Sequence, residues 1–332
     1  MLRMPTTHDR SFFIMFSDHV GAIMSNGNNE TLGIRELEVF VSVMATGSMT
    51  GAARQLGIGQ PAVTRMVRDL EATIGFELFR RNGPRISPTS KGVQFFEDAR
   101  QLLASFEQVT QRATSLREGR IQSLALVANP AMAAGLVPGM LAALDRHSGL
   151  PPKVSLQTMD AEHLAQVLLS GAVDYGACAM PLSHSELDCL CVARAGLVAV
   201  LPPDLPTEPL DVALFRQYRL LSLGNSYRIR HAINAHLAKH GVEPVAELVT
   251  NSSLNAIRAA TEGLGIALVD CVSARGIAVA GARIVPLVEQ IPYEWGLFRR
   301  TGTGLPELED ALLDSFCNVS RELGAEIISL SK

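Results

Sequence analysis

The spacing of apolar positions divides the chain into three parts. From Ile34 to Met44 the apolar residues Ile34, Leu37, Phe40, Val41 and Met44 recur at helical intervals, and Gly47 ends the segment. Ser48 is placed to cap a second short helix, "MTGAARQL", whose inner face is Ala52, Ala53 and Leu56; its small alanines allow close approach. Gly57 breaks that helix, and a third begins near Gln60 with Pro61 in its first turn, where a missing N–H costs nothing. Val63, Met66, Val67, Leu70 and Ile74 form its buried stripe, leaving Gln60, Thr64, Arg65 and Arg68 on the opposite face. A turn at Asn82-Gly83-Pro84, set between short apolar segments, predicts a hairpin or wing.

Beyond Gly92 the helical register is sustained, through Val93, Phe96, Ala99, Leu102, Leu103, Phe106, Val109, Ala113 and Leu116 to about Gly119. An apolar stripe of that length predicts a partner surface. From Ile121 strand-like and helix-like segments alternate: "SLALVA", a helix near 131–146, "KVSLQTM", a helix near 161–170, "DYGACAM", "LVAVLP", "YRLLSL", a helix near 228–240, "AELVT", a helix near 254–262, and "GIALVD". Such alternation predicts α/β units on parallel sheets.

Charge sharpens the reading of the first part. The 332-residue chain has a formal net charge of -4, yet from Arg54 to Lys91 seven basic residues face three acidic ones, net +4. Basic charge is therefore concentrated around the helix-turn-helix, as phosphate neutralisation requires. Gln, Thr and Arg side chains hydrogen-bond base edges and phosphates, and a helix fits the major groove.

"LEVFVSVMATGSMTGAARQLGIGQPAVTRMVRDLEATIGFELFRRNGPRISPTSKG" resembles the winged helix-turn-helix of the LysR-type transcriptional regulators. That resemblance implies that Gln60, Pro61, Thr64, Arg65 and Arg68 face double-stranded DNA, and that Arg81, Pro88 and Thr89 support or contact its backbone. Gly59 departs from the family's usual Ser or Thr cap. The resemblance also implies pairing of the long helix in a homodimer or homotetramer. It implies an effector domain of two lobes joined by crossover strands, like a solute-binding protein, with the ligand in the cleft. The hinges are expected near Ala193–Val198 and Pro292–Phe298, with a final helix near 306–324 returning to the first lobe. The expected architecture is a winged helix-turn-helix over 31–90, a linker helix over 91–119 and a two-lobed α/β domain over 120–325.

Ligands of open α/β sheets bind beyond the carboxyl ends of strands. The candidates there are Asn129, Pro130 and Ala131 after "SLALVA", and Asp160 after "KVSLQTM". "LLSLGNSYRIR" adds Gly224, Asn225, Ser226, Tyr227 and Arg228, and "LVTNSSLN" adds Asn251, Ser252 and Ser253. Hydroxyl-rich helix starts suit a carboxylate. "SVMATGSMTGAA" and the stretch from Leu220 to Asp270 look most similar to the branch controlling amino-acid and opine metabolism, including the regulator of lysine biosynthesis; an amino acid or related carboxylate is the expected effector.

Other chemistries compete poorly. His231, His236 and His240 share one predicted helix, but intervals of five and four put His231 and His236 on different faces, so a solvated surface and no metal are expected. Cys189 and Cys191 could align on one face of a strand as a redox pair, an alternative to the metabolite reading. The five cysteines have no zinc-type spacing and suit a reducing cytoplasm. No G-x-S-x-G, P-loop or H-E-x-x-H is present, so neither an enzyme nor a cofactor is expected. Apolar runs are strand length, predicting no membrane span. Residues 1–30 lack a signal-peptide pattern and are expected to be a poorly ordered extension, with Met24 a candidate start.

Overall fold

The structure is a computed structural model and describes residues 32–82, 85–118, 121–206, 208–224 and 227–330. The expected extension over 1–30, the Met24 start and the tip of the wing lie outside the described residues.

The first unit contains α1 (Ile34–Thr46), α2 (Met49–Leu56), α3 (Gln60–Ile74) and the hairpin β1 (Phe79–Asn82) and β2 (Arg85–Pro88). All three helices end on a glycine in the left-handed conformation, Gly47, Gly57 and Gly75, at φ 67°, 66° and 76°. Ser48 Oγ accepts from the Gly51 N–H, the expected cap. Leu37, Phe40, Ala52, Val63, Val67 and Leu70 close the core under the hairpin. Glu71 fastens the hairpin to α3, its carboxylate accepting from the Leu78 and Phe79 N–H groups at 2.7 and 3.1 Å.

α4 (Ser90–Glu118) follows, and the chain divides into its two compact units at Ala104/Ser105 within it. The second unit holds two sheets. The first lobe is built on β3 (Ser123–Ala128), β4 (Lys153–Thr158), β5 (Tyr175–Ala179), β6 (Leu187–Gly196), β12 (Pro292–Arg300) and β13 (Glu326–Leu330), in the order β13-β6-β12-β5-β3-β4. The second lobe holds β7 (Val198–Leu201), β8 (Leu220–Leu223), β9 (Glu247–Thr250), β10 (Ile266–Val269) and β11 (Arg283–Pro286), in the order β11-β7-β10-β8-β9. The helices are α5 (Pro130–Gly135), α6 (Val137–Ser148), α7 (Ala161–Ser170), α8 (Tyr227–Lys239), α9 (Ser253–Thr261), α10 (Cys271–Gly276) and α11 (Pro306–Glu322).

The sheets are mixed, not wholly parallel as the alternation predicts. Pairs linked by helical crossovers, β3 with β4 and β5 and β8 with β9 and β10, are parallel, whereas strands at or next to the lobe crossings run antiparallel. The expected helix at 131–146 is two helices broken at Leu136, where Pro138 in the first turn of α6 can continue no earlier hydrogen-bond ladder.

The first crossing, β6 to β7, falls where expected. The second falls at Leu287–Ile291, before the expected Pro292–Phe298, because Pro292–Phe298 already pairs with β6. Leu197 N–H donates to Ile291 O at 2.8 Å, so the two crossings are bonded to each other. Elsewhere the lobes touch through glycines: a Cβ on Gly276 of α10 would lie 1.9 Å from Gly135 O of α5. Arg275 Nη1 adds a 2.8 Å bond to Leu323 O.

Candidate functional site

In the first unit, Gln60, Pro61, Arg65 and Arg68 are exposed on one side of α3, with Thr64 half-buried beside them. Gln60 Nε2 donates to Thr64 Oγ1 at 2.9 Å, which holds the amide on the polar face. Among the described residues neither Arg65 nor Arg68 forms an ion pair, so both guanidiniums are available to phosphate or guanine. Gly59 caps α3 without a side-chain bond. Thr89 is placed differently from a DNA contact. It is buried, donates to Glu77 O at 2.8 Å and accepts from Gly92 N–H at 2.9 Å, so it holds the start of α4. Pro88 is exposed at the end of β2; Arg81 lies on β1 opposite Ile86, and its side chain is outside the described residues.

Between the lobes, two adjoining cavities share Asn129, Pro130, Ala179, Ile229 and Tyr293. One, of about 300 Å³, brings Asn129, Pro130 and Ala131 from the first lobe against Asn251, Ser252 and Ser253 from the second. The other, of about 370 Å³, holds Asp160, Arg228 and Glu294. Strand ends from both lobes thus converge as their sequence positions predict. Gly224 lies outside both linings, Asn225 and Ser226 are outside the described residues, and so is the side chain of Tyr227.

Local bonding assigns different tasks to these groups. Asn129 Oδ1 accepts from the Met132 N–H at 3.1 Å, capping α5 and leaving its amide N–H donors for the cleft. Ser253 Oγ donates to Asp270 at 2.7 Å, so its hydroxyl proton is used within the fold and only its acceptor side faces other partners. Asp270, 1% exposed, also accepts from the Ser273 N–H at 2.6 Å and joins α9 to α10. Asp160 accepts from the backbone N–H of His163 at 3.0 Å; that bond, with the His163 ring, holds its carboxyl below the usual carboxylate range. Arg228 sits in the first turn of α8 on the same cavity. Tyr293 is buried, which pushes its phenol well above the ordinary value and keeps it a neutral donor. Tyr293, Asp270 and Glu294 are not among the strand-end candidates. They come from a crossover strand and a buried cap, which no strand-end signal marks.

The cysteine alternative meets a different geometry. β6 carries a bulge: Leu297 pairs with Cys191 but Phe298 with Cys189, so Leu190 is the extra residue and period-two alternation is lost. Cys189 packs against the cluster that contains Val127, Leu168 and Phe298, while Cys191 belongs to the larger core on the other side of the sheet. The neighbour of the Cys191 sulfur is Cys317 of α11, at 3.5 Å. The histidine helix is also not a plain solvated surface, since His236 is 8% exposed.

A family model described as a LysR substrate binding domain matches residues 117–319, and one for the lysR family of bacterial regulatory helix-turn-helix proteins matches 34–93. The chain is 27% identical over 274 residues to the transcriptional activator protein LysR of Escherichia coli K12, covering 81% of this chain and 87% of that one. It is 26% identical over 297 residues to the regulatory protein NocR of Agrobacterium fabrum, covering 85% and 96%. The crystal structure of CbnR, a LysR family transcriptional regulator, superposes with a TM-score of 0.71 at 21% identity, covering 88% of this chain and 99% of CbnR. CbnR has also been crystallised with its target DNA. No helix among the described residues is long and apolar enough to cross a membrane.

Proposed function

This chain belongs to the LysR family of DNA-binding transcriptional regulators, and on that premise we propose that its lobes close on an amino acid or a related carboxylate. One observation carries the reading. Arg228 and Asp160 line the same cavity of about 370 Å³, so a zwitterion there places its carboxylate on a guanidinium at a helix start and its ammonium on a carboxylate. Asn129, the cap of α5, supplies amide donors to the polar part, and Ile229 and Tyr293 supply apolar wall. The protein acts in the cytoplasm, on the operator it binds, and not as an enzyme.

Gln60, Pro61, Thr64, Arg65 and Arg68 enter the major groove in this reading, and Arg81 and Pro88 lie along the neighbouring backbone. Two recognition helices come from a homodimer or homotetramer joined through α4, whose Val93, Leu102, Phe106 and Val109 are 52%, 49%, 48% and 67% exposed.

The test is a thermal-shift and footprinting screen of amino acids and related carboxylates, on wild type and on Arg228→Gln, Asp160→Asn and Cys191→Ser variants. An amino acid should raise the wild-type melting temperature and alter its footprint, with both effects lost in the first two variants. A footprint that answers to peroxide in wild type but not in Cys191→Ser, with no carboxylate active, overturns the reading in favour of redox control.

A further inference from the structure

Away from the cleft, His236 lies in the last turn of helix α8, with His240 one turn later, just beyond the helix end at Lys239. An interval of four places both rings on one face, and their centroids are 4.8 Å apart. Facing them is Glu289, from the second crossing between the lobes, with Oε2 2.9 Å from His240 Nε2. One nitrogen from each ring and one Glu289 oxygen all lie within 4.8 Å of one another. His236 is 8% exposed, whereas His240 and Glu289 face solvent.

We propose that His236, His240 and Glu289 form a site for a divalent transition cation of the zinc class, completed by water. The ligand set decides the class. Two imidazoles and one carboxylate suit Zn²⁺, Co²⁺, Ni²⁺ or Cu²⁺, whereas Ca²⁺ and Mg²⁺ require mostly oxygen donors. Bonds of about 2.0–2.2 Å in a tetrahedron put ligand atoms roughly 3.3 Å apart. The three must therefore draw together by no more than about 1.5 Å, which rotation of the exposed His240 and Glu289 side chains provides. Two of the ligands come from the end of α8 and the residue after it, and the third approaches from a loop 49 residues away in sequence.

Lys239 supplies an internal probe of the site. Its ammonium also holds Glu289, and its side chain is 62% exposed. A cation that takes the Glu289 oxygens displaces the Lys239 ammonium into water, so the two cations compete for one carboxylate. Bound metal would pin the far end of the helix that carries Arg228 to the crossing next to Ile291. The site itself does not depend on which effector the cleft takes.

The experiment uses the full chain, free of tags and stripped with EDTA, titrated with Co²⁺ and followed by its visible absorption. Zn²⁺ then competes. One ion should bind per chain, with His240→Gln and Glu289→Gln each weakening it by about tenfold or more and Lys239→Gln tightening it several-fold. Both weakening variants alter exposed residues, so the buried His236 is not needed for the result. The proposal is overturned if no saturable cobalt spectrum appears, or if the band carries thiolate charge transfer from a cysteine. Affinity unchanged in Glu289→Gln while His240→Gln abolishes it also overturns it, since the ion then needs only a surface histidine pair.

Discussion

A single methyl group at Gly276 tests whether the lobes are held at one angle by the contact between α5 and α10. In Gly276→Ala the new Cβ begins 1.9 Å from Gly135 O and 2.6 Å from Gly135 C, both backbone atoms that cannot rotate away. Ordinary contact begins near 3.4 Å, so α10 and α5 must separate by about 1.5 Å. Overpacking of this kind costs about 1–3 kcal/mol where the structure cannot relax. Here it can relax by opening the lobes, and the cost then falls on any ligand that requires them closed. A coupling of that size weakens effector binding by about 5- to 150-fold. The assay is isothermal titration of the amino acid found in the screen, against wild type, Gly276→Ala and Gly139→Ala. The last is a control within the first lobe, where a Cβ meets only Val319, with Cγ1 at 3.3 Å, and should leave affinity unchanged. Wild-type affinity and wild-type melting in Gly276→Ala would refute the reasoning, because the glycine contact would then constrain nothing.

Glu71→Ala removes the acceptor of two hairpin N–H groups and should destabilise the first unit by about 1–3 kcal/mol, seen in thermal unfolding, with DNA affinity lowered but operator preference unchanged. Arg65→Ala with Gln60→Ala should relax discrimination at the contacted bases by about 1–3 kcal/mol in competition footprinting; an unchanged preference would remove α3 from the groove. Leu102→Asp with Phe106→Asp should leave a folded monomer in sedimentation, and a folded dimer would move the interface off α4. Burial pushes Cys178 and Cys271 up to about 12, so below that pH both remain neutral thiols. Iodoacetamide at about pH 8 should leave them unmodified in the folded chain and label them after unfolding, by mass spectrometry.

The helix-turn-helix was legible because its signals are local. Ser48, Gly57 and Pro61 each mark a boundary within a residue or two of its place, and of the expected stripe Val63, Val67 and Leu70 are buried while Met66 and Ile74 are half-buried. The strand-end rule also picked out Asn129, Asp160 and Ser252, which line the cavities between the lobes, since a parallel strand that turns into a helix leaves its mark in a few consecutive residues. What was lost depends on tertiary pairing. The bulge at Leu190 cannot be read from "LDCLCVARAG", which alternates well enough to put Cys189 and Cys191 together; only the register against β12 separates them. β13, absent from the sequence reading, is a short run whose strand character comes from the free edge of β6. The bond that takes the Ser253 hydroxyl proton is equally illegible, because the buried carboxylate that accepts it lies 17 residues on. Glu289 likewise carries no motif, and meets the histidines only through the return of the chain toward the first lobe.

The bond between Leu197 and Ile291 makes the two crossings one mechanical part. A lone strand between two bodies is a swivel, free to turn about several axes. Two strands fastened side by side form a narrow strip, compliant to bending across its face and stiff to shear along its length. A joint built this way favours one bending coordinate between the lobes over the others. In the function proposed above, a molecule that touches either wall of the cleft acts by setting that one angle, and chemically different ligands would be distinguished downstream by how far along it they drive the lobes.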